Sequence, residues 1–246
     1  MTKNIYLSII QRKKNKKKAL AILVDPDKSS NEELKNISKI ASRALVDYFF
    51  VGGSLLTNDN LENAINILKE NSTIPVILFP GNTLQISKQA DAILFLSLIS
   101  GRNPEMLIGR HVISAPYLKA TDLEVISTGY MLIDCGKPTS VTYMSNTTPI
   151  PGDKDDIALC TAMAGEMLGL KLIYMDAGSG AENTISATMV KKVSQNIDIP
   201  LIVGGGIRNK ESAREILNAG ADIIVVGNAA EKSPNLIFEI SEEIHR

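Results

Sequence analysis

Residues 200–208 read Pro-Leu-Ile-Val-Gly-Gly-Gly-Ile-Arg, and this stretch decides the fold. The run Pro200–Val203 is apolar throughout, which is typical of a parallel strand buried on both faces. Three glycines follow it, and a helical repeat of apolar residues from Ala213 to Leu217 then ends at Gly220. A buried strand, a glycine loop and an amphipathic helix together form the repeating unit of an α/β fold.

The same unit recurs along the whole chain. Helix-like segments separate eight apolar, strand-sized runs: Ala19–Val24, Val46–Val51, Pro75–Phe79, Ala92–Leu96, Val125–Ile133, Leu172–Met175, Pro200–Val203 and Asp222–Val226. The chain has 246 residues, and a complete α/β barrel takes about 250. The pattern therefore predicts a (β/α)8 TIM barrel, with residues 1–246 forming a single domain.

One connection in this series is unusually short. Only Pro80–Asp91 separates the third run from the fourth, which leaves room for about one or two helical turns. The sequence therefore predicts a barrel with a shortened third helical crossover. Such a gap in the outer ring of helices is either a trimmed loop without consequence or a side opening that accepts a long apolar ligand.

Glycine-rich segments end the last three runs. They are Tyr174-Met-Asp-Ala-Gly-Ser-Gly-Ala181, Val203-Gly-Gly-Gly-Ile-Arg208 and Val226-Gly-Asn-Ala229. Glycines let backbone N–H groups approach an anion closely, and the helix that follows adds a favourable dipole. Loops at this end of a barrel commonly bind phosphate, so we expect these segments to form a phosphate site.

A second polar group follows the first run. Asp25-Pro-Asp-Lys28 supplies two carboxylates and an ammonium group, and Gly52-Gly-Ser54 ends the neighbouring second run. Carboxylate and hydroxyl oxygens suit Mg²⁺ bound jointly with substrate phosphates. Two anion sites on one rim favour a transfer reaction between two phosphorylated substrates, with the carboxylate of Asp176 beside the first site.

Composition and charge exclude other classes. The 26 basic residues nearly balance 27 acidic ones and aromatic residues are 4% of the chain, which argues against nucleic-acid binding. The first residues lack a signal-peptide pattern, and the two cysteines have no metal-ligand spacing, which favours free thiols in the cytoplasm. The basic run Arg12–Lys18 predicts either a solvated helix end or weak attraction to anionic lipids. We expect a structural role for His111.

The chain resembles the geranylgeranylglyceryl phosphate synthases and their heptaprenylglyceryl phosphate synthase relatives. The longer archaeal-type branch, which also occurs in some bacteria, fits best. The motifs that carry the resemblance appear in family order across residues 23–228: Leu23-Val-Asp-Pro-Asp-Lys28, Val51-Gly-Gly-Ser54, Leu78-Phe-Pro-Gly81, Phe95-Leu-Ser-Leu98, Thr128-Gly-Tyr130, Lys137-Pro-Thr-Ser140, Pro149-Ile-Pro151, Tyr174–Ala181, Gly204-Gly-Gly-Ile-Arg208 and Val226-Gly-Asn228.

The resemblance implies a Mg²⁺-dependent prenyltransferase of ether-lipid biosynthesis, expected to be a homo-oligomer. It joins a polyprenyl diphosphate, expected to be geranylgeranyl, to the sn-3 hydroxyl of sn-glycerol 1-phosphate and releases diphosphate. It places the metal at Asp25 and Ser54 and makes Asp176 and Asp25 the catalytic positions. The glycerol phosphate positions it implies are Tyr174, Met175, Asp176, Ala177, Gly178, Ser179, Gly180, Gly205, Gly206, Gly227 and Asn228.

One residue departs from the family pattern. Family members mostly carry Glu where this chain has Asp176, and that residue helps to deprotonate the glycerol hydroxyl. Asp is one methylene shorter, and a misplacement of about 1 Å costs about a hundredfold in rate. Two other interpretations share the glycine loops: a phosphosugar isomerase or synthase, and a non-catalytic phosphometabolite-binding barrel.

Overall fold

The computed structural model describes residues 4–227 and 234–245. Eight parallel strands pair in chain order, and pairing of the first with the last closes the barrel. This confirms the predicted (β/α)8 architecture. The strands are β1 Ala19–Val24, β2 Tyr48–Val51, β3 Val76–Leu78, β4 Ala92–Leu98, β5 Glu124–Leu132, β6 Leu172–Asp176, β7 Leu201–Gly204 and β8 Ile223–Val226.

Helices surround the barrel and also precede it. A π-helical turn, Glu105–Gly109, leads directly into α4. The α-helices are α1 Ile5–Lys14, α2 Asn31–Arg43, α3 Leu61–Asn71, α4 Arg110–Lys119, α5 Ser140–Ser145, α6 Asp155–Met167, α7 Ala187–Ser194, α8 Lys210–Asn218 and α9 Pro234–Ile244.

Local sequence signals explain where several helices begin and end. Ser30 and Glu33 form a reciprocal capping box that starts α2. Gly169 follows α6 with a φ of +83°, a conformation that favours glycine and ends the helix. The cap of α7 is Ser186, whose hydroxyl oxygen accepts a hydrogen bond from the Met189 N–H.

The barrel has two apolar layers because side chains alternate along each strand. One layer fills the barrel interior and includes Tyr48, Phe50, Ile126 and Tyr174. The other layer, which includes Ile22, lies between the sheet and the helices.

Helix α1 closes the barrel at the amino-terminal ends of the strands. Ile5 and Ile9 pack into the interior layer, and the Glu124 carboxylate accepts hydrogen bonds from the backbone N–H groups of Ile5 and Tyr6. Burial of these two isoleucines holds the helix in place, with each side chain contributing about 1.5–3 kcal/mol.

The basic run is part of this closure. Arg12 pairs with Asp47, whereas Lys13 lies 3.0 Å and Lys18 3.8 Å from the carboxylate of Asp222. Both aspartates immediately precede strands, so half of the basic side chains bind the barrel floor. The other three, Lys14, Lys16 and Lys17, are exposed at that same end.

The short connection between β3 and β4 contains no helix. Residues 79–91, all of which the structure describes, form turns and no helix. The predicted shortening is therefore confirmed, and this connection adds no helix to the outer ring. Within the described ranges, no helix is both long and apolar enough to cross a membrane.

Candidate active site

A cavity of about 930 Å³ opens at the carboxyl ends of the strands. Enzymes with this fold place their active sites at this end. The predicted residues that line the cavity come from both anion sites: Asp25, Ser54, Tyr174, Asp176, Gly178, Ser179, Gly180, Gly205, Gly206 and Gly227. One cavity thus joins the two sites that the sequence predicted separately.

The loops after β6 and β7 pack closely against each other. Gly205 has a φ of +82°, and a methyl group there would lie 2.8 Å from the Ala177 Cβ and 2.9 Å from Asp176 Oδ1. A side chain is therefore excluded by both backbone conformation and space. Backbone of both loops therefore lines the cavity, and concave backbone surfaces of this kind are typical anion sites. Arg208, from the same loop, also lines the cavity and donates to the Ala181 carbonyl at 2.5 Å.

Asp176 lies at the edge of this surface and is only 7% exposed. Its Oδ2 accepts from the Tyr130 hydroxyl at 2.5 Å, and its Oδ1 accepts from the Gly178 N–H at 2.8 Å. Burial raises the pKa of the Asp176 carboxyl, while these two hydrogen bonds oppose the rise. A raised pKa makes the carboxylate a stronger base, as proton removal from a substrate hydroxyl requires.

Three predicted glycerol phosphate positions differ from the rest. The side chains of Met175 and Ala177 pack in the layer between sheet and helices, and these two residues do not line the cavity. Asn228 lies outside the described residues.

The predicted metal position stands across the cavity from Asp176. Asp25 Oδ2 accepts from the Lys28 ammonium at 2.5 Å and lies 3.4 Å from where a methyl group on Gly53 would be. Asp27 instead holds the next loop through the backbone N–H groups of Thr57 and Asn58. Asp25 and the neighbouring Ser54 are thus the donors that face the cavity.

This donor set fits a magnesium ion that shares its ligands with a substrate. The Asp25 carboxylate pairs with one cation in this structure, the Lys28 ammonium. Among the residues that the structure describes, no three His, Cys, Asp or Glu side chains are grouped to hold a metal. A Mg²⁺ ion here would rely on one carboxylate, one hydroxyl and oxygens of a phosphorylated ligand, which is a common arrangement.

The cavity continues into an apolar channel over the uncovered sheet. Ile93 packs in the layer outside the barrel, yet it and Phe95 line the cavity because the connection between β3 and β4 contributes no helix. Leu118 of α4 and Ile86 of the crossover complete the channel walls. Because the connection between β3 and β4 lacks a helix, an apolar channel forms at the side of the barrel.

Sequence reasoning missed several cavity residues. Tyr130 was recognised only within a family motif, although it pairs in register with Tyr174 and therefore faces the same interior. The sequence analysis does not single out Arg110 and Ser114, and it predicts a structural role for His111. His111 does pack against Phe95, with ring centroids 4.4 Å apart, but it also lines the channel. Helical periodicity from Arg110 to Leu118 was the available signal.

The cysteines behave as predicted. Both Cys135 and Cys160 are free. Burial, followed by the charges of Asp134 and Asp176, raises the pKa of the Cys135 thiol to about 12. This thiol is therefore a poor nucleophile at neutral pH.

Fold and cavity together define a class: a (β/α)8 barrel with glycine-rich loops on one side of its mouth and an apolar channel on the other. The sequence pattern of the PcrB family matches residues 11–244. The chain belongs to this family.

Named relatives agree with this assignment. A geranylgeranylglyceryl phosphate synthase from Chitinophaga pinensis is 54% identical over 245 residues, covering 100% of this chain and 97% of the relative. One from Pyrococcus furiosus is 40% identical, with 92% and 90% covered. The crystal structure of (S)-3-O-geranylgeranylglyceryl phosphate synthase from Thermoplasma acidophilum, in complex with sn-glycerol-1-phosphate, superposes with a TM-score of 0.93 at 35% identity, covering 99% and 98%.

Proposed function

We propose that this protein is a prenyltransferase that joins a polyprenyl diphosphate, most simply geranylgeranyl, to the sn-3 hydroxyl of sn-glycerol 1-phosphate. The observation that carries the proposal is the continuity of one cavity, from the glycine loops through Asp176 to the apolar channel. A phosphosugar isomerase has no use for such a channel, whereas a prenyl chain needs one. The names of the relatives and the sn-glycerol-1-phosphate bound in the Thermoplasma protein support the same function.

The glycine loops would bind the phosphate of sn-glycerol 1-phosphate through backbone N–H groups. Gly178 and Gly205 adjoin Asp176, so a glycerol held by these loops brings its free hydroxyl towards that carboxylate. Fixing two reactants in one geometry lowers the barrier by removing much of the entropy cost of their encounter.

In the transfer step, the sn-3 hydroxyl oxygen bonds to C1 of the prenyl chain while the bond from C1 to the diphosphate oxygen breaks. The bonding electron pair leaves with the diphosphate, and the hydroxyl proton passes to Asp176. Tyr130 donates to the second oxygen of Asp176 and so orients the carboxylate. Burial raises the pKa of Tyr130 well above its usual value, with the charge of Asp176 acting in the same direction, so Tyr130 keeps its proton.

Mg²⁺, bound by Asp25 and Ser54, would supply positive charge to the diphosphate. Removal of divalent cations is then expected to abolish transfer. If an Asp25→Ala variant kept wild-type activity at limiting Mg²⁺, the metal assignment would be wrong. We further propose that the protein acts in the cytoplasm in ether-lipid biosynthesis, as a homo-oligomer.

The direct test uses labelled sn-glycerol 1-phosphate, Mg²⁺ and prenyl diphosphates of several lengths. We expect label to move into the organic phase on extraction. The sn-glycerol 3-phosphate enantiomer is the control and should react poorly because its free hydroxyl is misplaced. Absence of product with every prenyl length would overturn the proposed function.

A further inference from the structure

Arg110 is a cation at the cavity whose role is not explained by the fold. It is the first residue of α4, directly after the π-helical turn, and its half-buried side chain lines the cavity. Its Nη1 donates to the Gly81 carbonyl at 3.3 Å, and no carboxylate in residues 4–227 or 234–245 forms an ion pair with it. Because a guanidinium group carries five N–H donors, most of them are left for a bound anion.

The contact with Gly81 places Arg110 beside the proposed metal position. A methyl group on Gly81 would lie 2.8 Å from the Ser54 Cα, so the loop that Arg110 contacts packs directly on Ser54. Gly53, in turn, adjoins Asp25. Arg110 and the Asp25–Ser54 pair therefore border the same part of the cavity.

The residues that follow Arg110 along α4 line the apolar channel. His111, Ser114 and Leu118 lie on one helical face and line the channel. Arg110 thus lies where the charged part of the cavity meets its apolar part. A ligand with an anionic head and a long apolar tail would span this boundary.

Among the described residues, two further cations line the cavity, and they have different partners. Lys28 is paired with Asp25, and Arg208 donates to the Ala181 carbonyl beside the glycine loops. Arg110 is therefore the cation best placed for an anion that enters from the channel side.

We infer that Arg110 binds the diphosphate of the prenyl substrate and neutralises its charge as the bond to C1 breaks. This inference rests on the proposed function and assigns one more residue to it. Arginine suits the task because its planar donors match phosphate oxygens in pairs and its charge does not depend on pH.

The test compares Arg110→Met and Arg110→Lys with an Arg102→Met control. Arg102 also donates to a glycine carbonyl, that of Gly101 at 3.0 Å, but its side chain is exposed outside this cavity. We expect Arg110→Met to lower kcat/KM for geranylgeranyl diphosphate about 10- to 100-fold, since a hydrogen bond to a charged group is lost. Arg110→Lys should recover part of this loss, and Arg102→Met should stay within about twofold of the wild type.

A second measurement uses inorganic diphosphate with Mg²⁺ in a calorimetric titration. Arg110→Met should raise the Kd of diphosphate by about the same factor. The Kd of sn-glycerol 1-phosphate and the Tm of the protein should stay unchanged. The neutral alcohol geranylgeraniol should inhibit wild type and variant alike, because it lacks the group that Arg110 binds.

The possible failures are distinguishable. If the wild type transfers prenyl groups and Arg110→Met binds diphosphate with wild-type affinity, the assignment of Arg110 is wrong and the proposed function stands. Loss of glycerol phosphate binding or a lowered Tm in Arg110→Met would show a structural role instead. If the wild type transfers nothing, both proposals fail together.

Discussion

The two sides of the barrel mouth are built in different ways. On the side of β6, β7 and β8, the cavity wall is backbone, and glycines such as Gly205 pack so closely that a methyl group would collide with neighbours. On the side of β1 to β4, the wall is side chains, and the apolar channel exists because one helix is absent. A small anion of fixed shape needs close backbone donors, whereas a long flexible chain needs space.

Asp176 stands between the two sides, and its loss should have the largest effect. Asp176→Asn keeps the shape of the side chain but removes the base, so we expect kcat to fall about 10³-fold. The affinities for both substrates should change little. Steady-state kinetics with each substrate varied in turn provides the measurement, and Asp134→Asn, at an exposed rim carboxylate, is the control. A comparable loss in both variants would contradict the assignment.

The same residue predicts a pH dependence. Burial raises the pKa of Asp176, so this carboxylate takes up a proton at a higher pH than an ordinary aspartate does. As the pH is lowered, we therefore expect kcat to begin to fall at a higher pH than it would with an ordinary aspartate as the base. The acid limb of a kcat profile measures this. A limb that persists unchanged in the residual activity of Asp176→Asn must come from another group.

The substitution Gly205→Ala tests the glycine loops, where backbone forms the cavity wall. The added methyl group meets Asp176 and Ala177, so we expect kcat/KM for sn-glycerol 1-phosphate to fall about 100-fold. Binding of a prenyl diphosphate should be unaffected. Gly169→Ala is a matched control because its φ is also positive, at +83°, yet nothing lies within 4 Å of the added methyl group. Equal losses in the two variants would mean that backbone strain, and not crowding of the phosphate loops, is responsible.

The substitution Ser114→Phe tests the apolar channel, where side chains form the cavity wall. Ser114 is 7% exposed and lines the channel, so a phenyl ring there should obstruct a long chain more than a short one. We expect the ratio of kcat/KM for geranylgeranyl over geranyl diphosphate to fall about tenfold. Ala115→Phe, at the exposed neighbouring position, should leave the ratio unchanged. An unaltered ratio in Ser114→Phe would place the prenyl chain elsewhere.

The smallest effect is expected far from the mouth. Lys14, Lys16 and Lys17 are exposed at the floor of the barrel, opposite the cavity. Replacing all three with Gln should leave transfer from vesicle-bound prenyl diphosphate within about twofold of wild type and change stability by about 0.5 kcal/mol or less per substitution. A strong loss specific to anionic vesicles would instead support the lipid contact that this basic run suggested.

That the glycine loops line one cavity was predictable, because the loops after parallel strands meet at the same end of a barrel. The short crossover was also visible as a residue count. Tyr130 and Arg110 were not predictable from spacing alone, since their neighbours at Asp176 and Gly81 lie 46 and 29 residues away. Such contacts arise from the closure of the barrel and the packing of its loops.

The sequence by itself determined the eightfold repeat, the glycine loops and the missing helix, because each is local and has a characteristic period, composition or length. Only the tertiary structure decided what faces the cavity. It directed Asp27 into a loop, Met175 and Ala177 into the outer layer and the basic run to the barrel floor. The physical reason is that parallel strands present alternate residues to opposite faces, and closure of the barrel fixes which residues from distant strands meet.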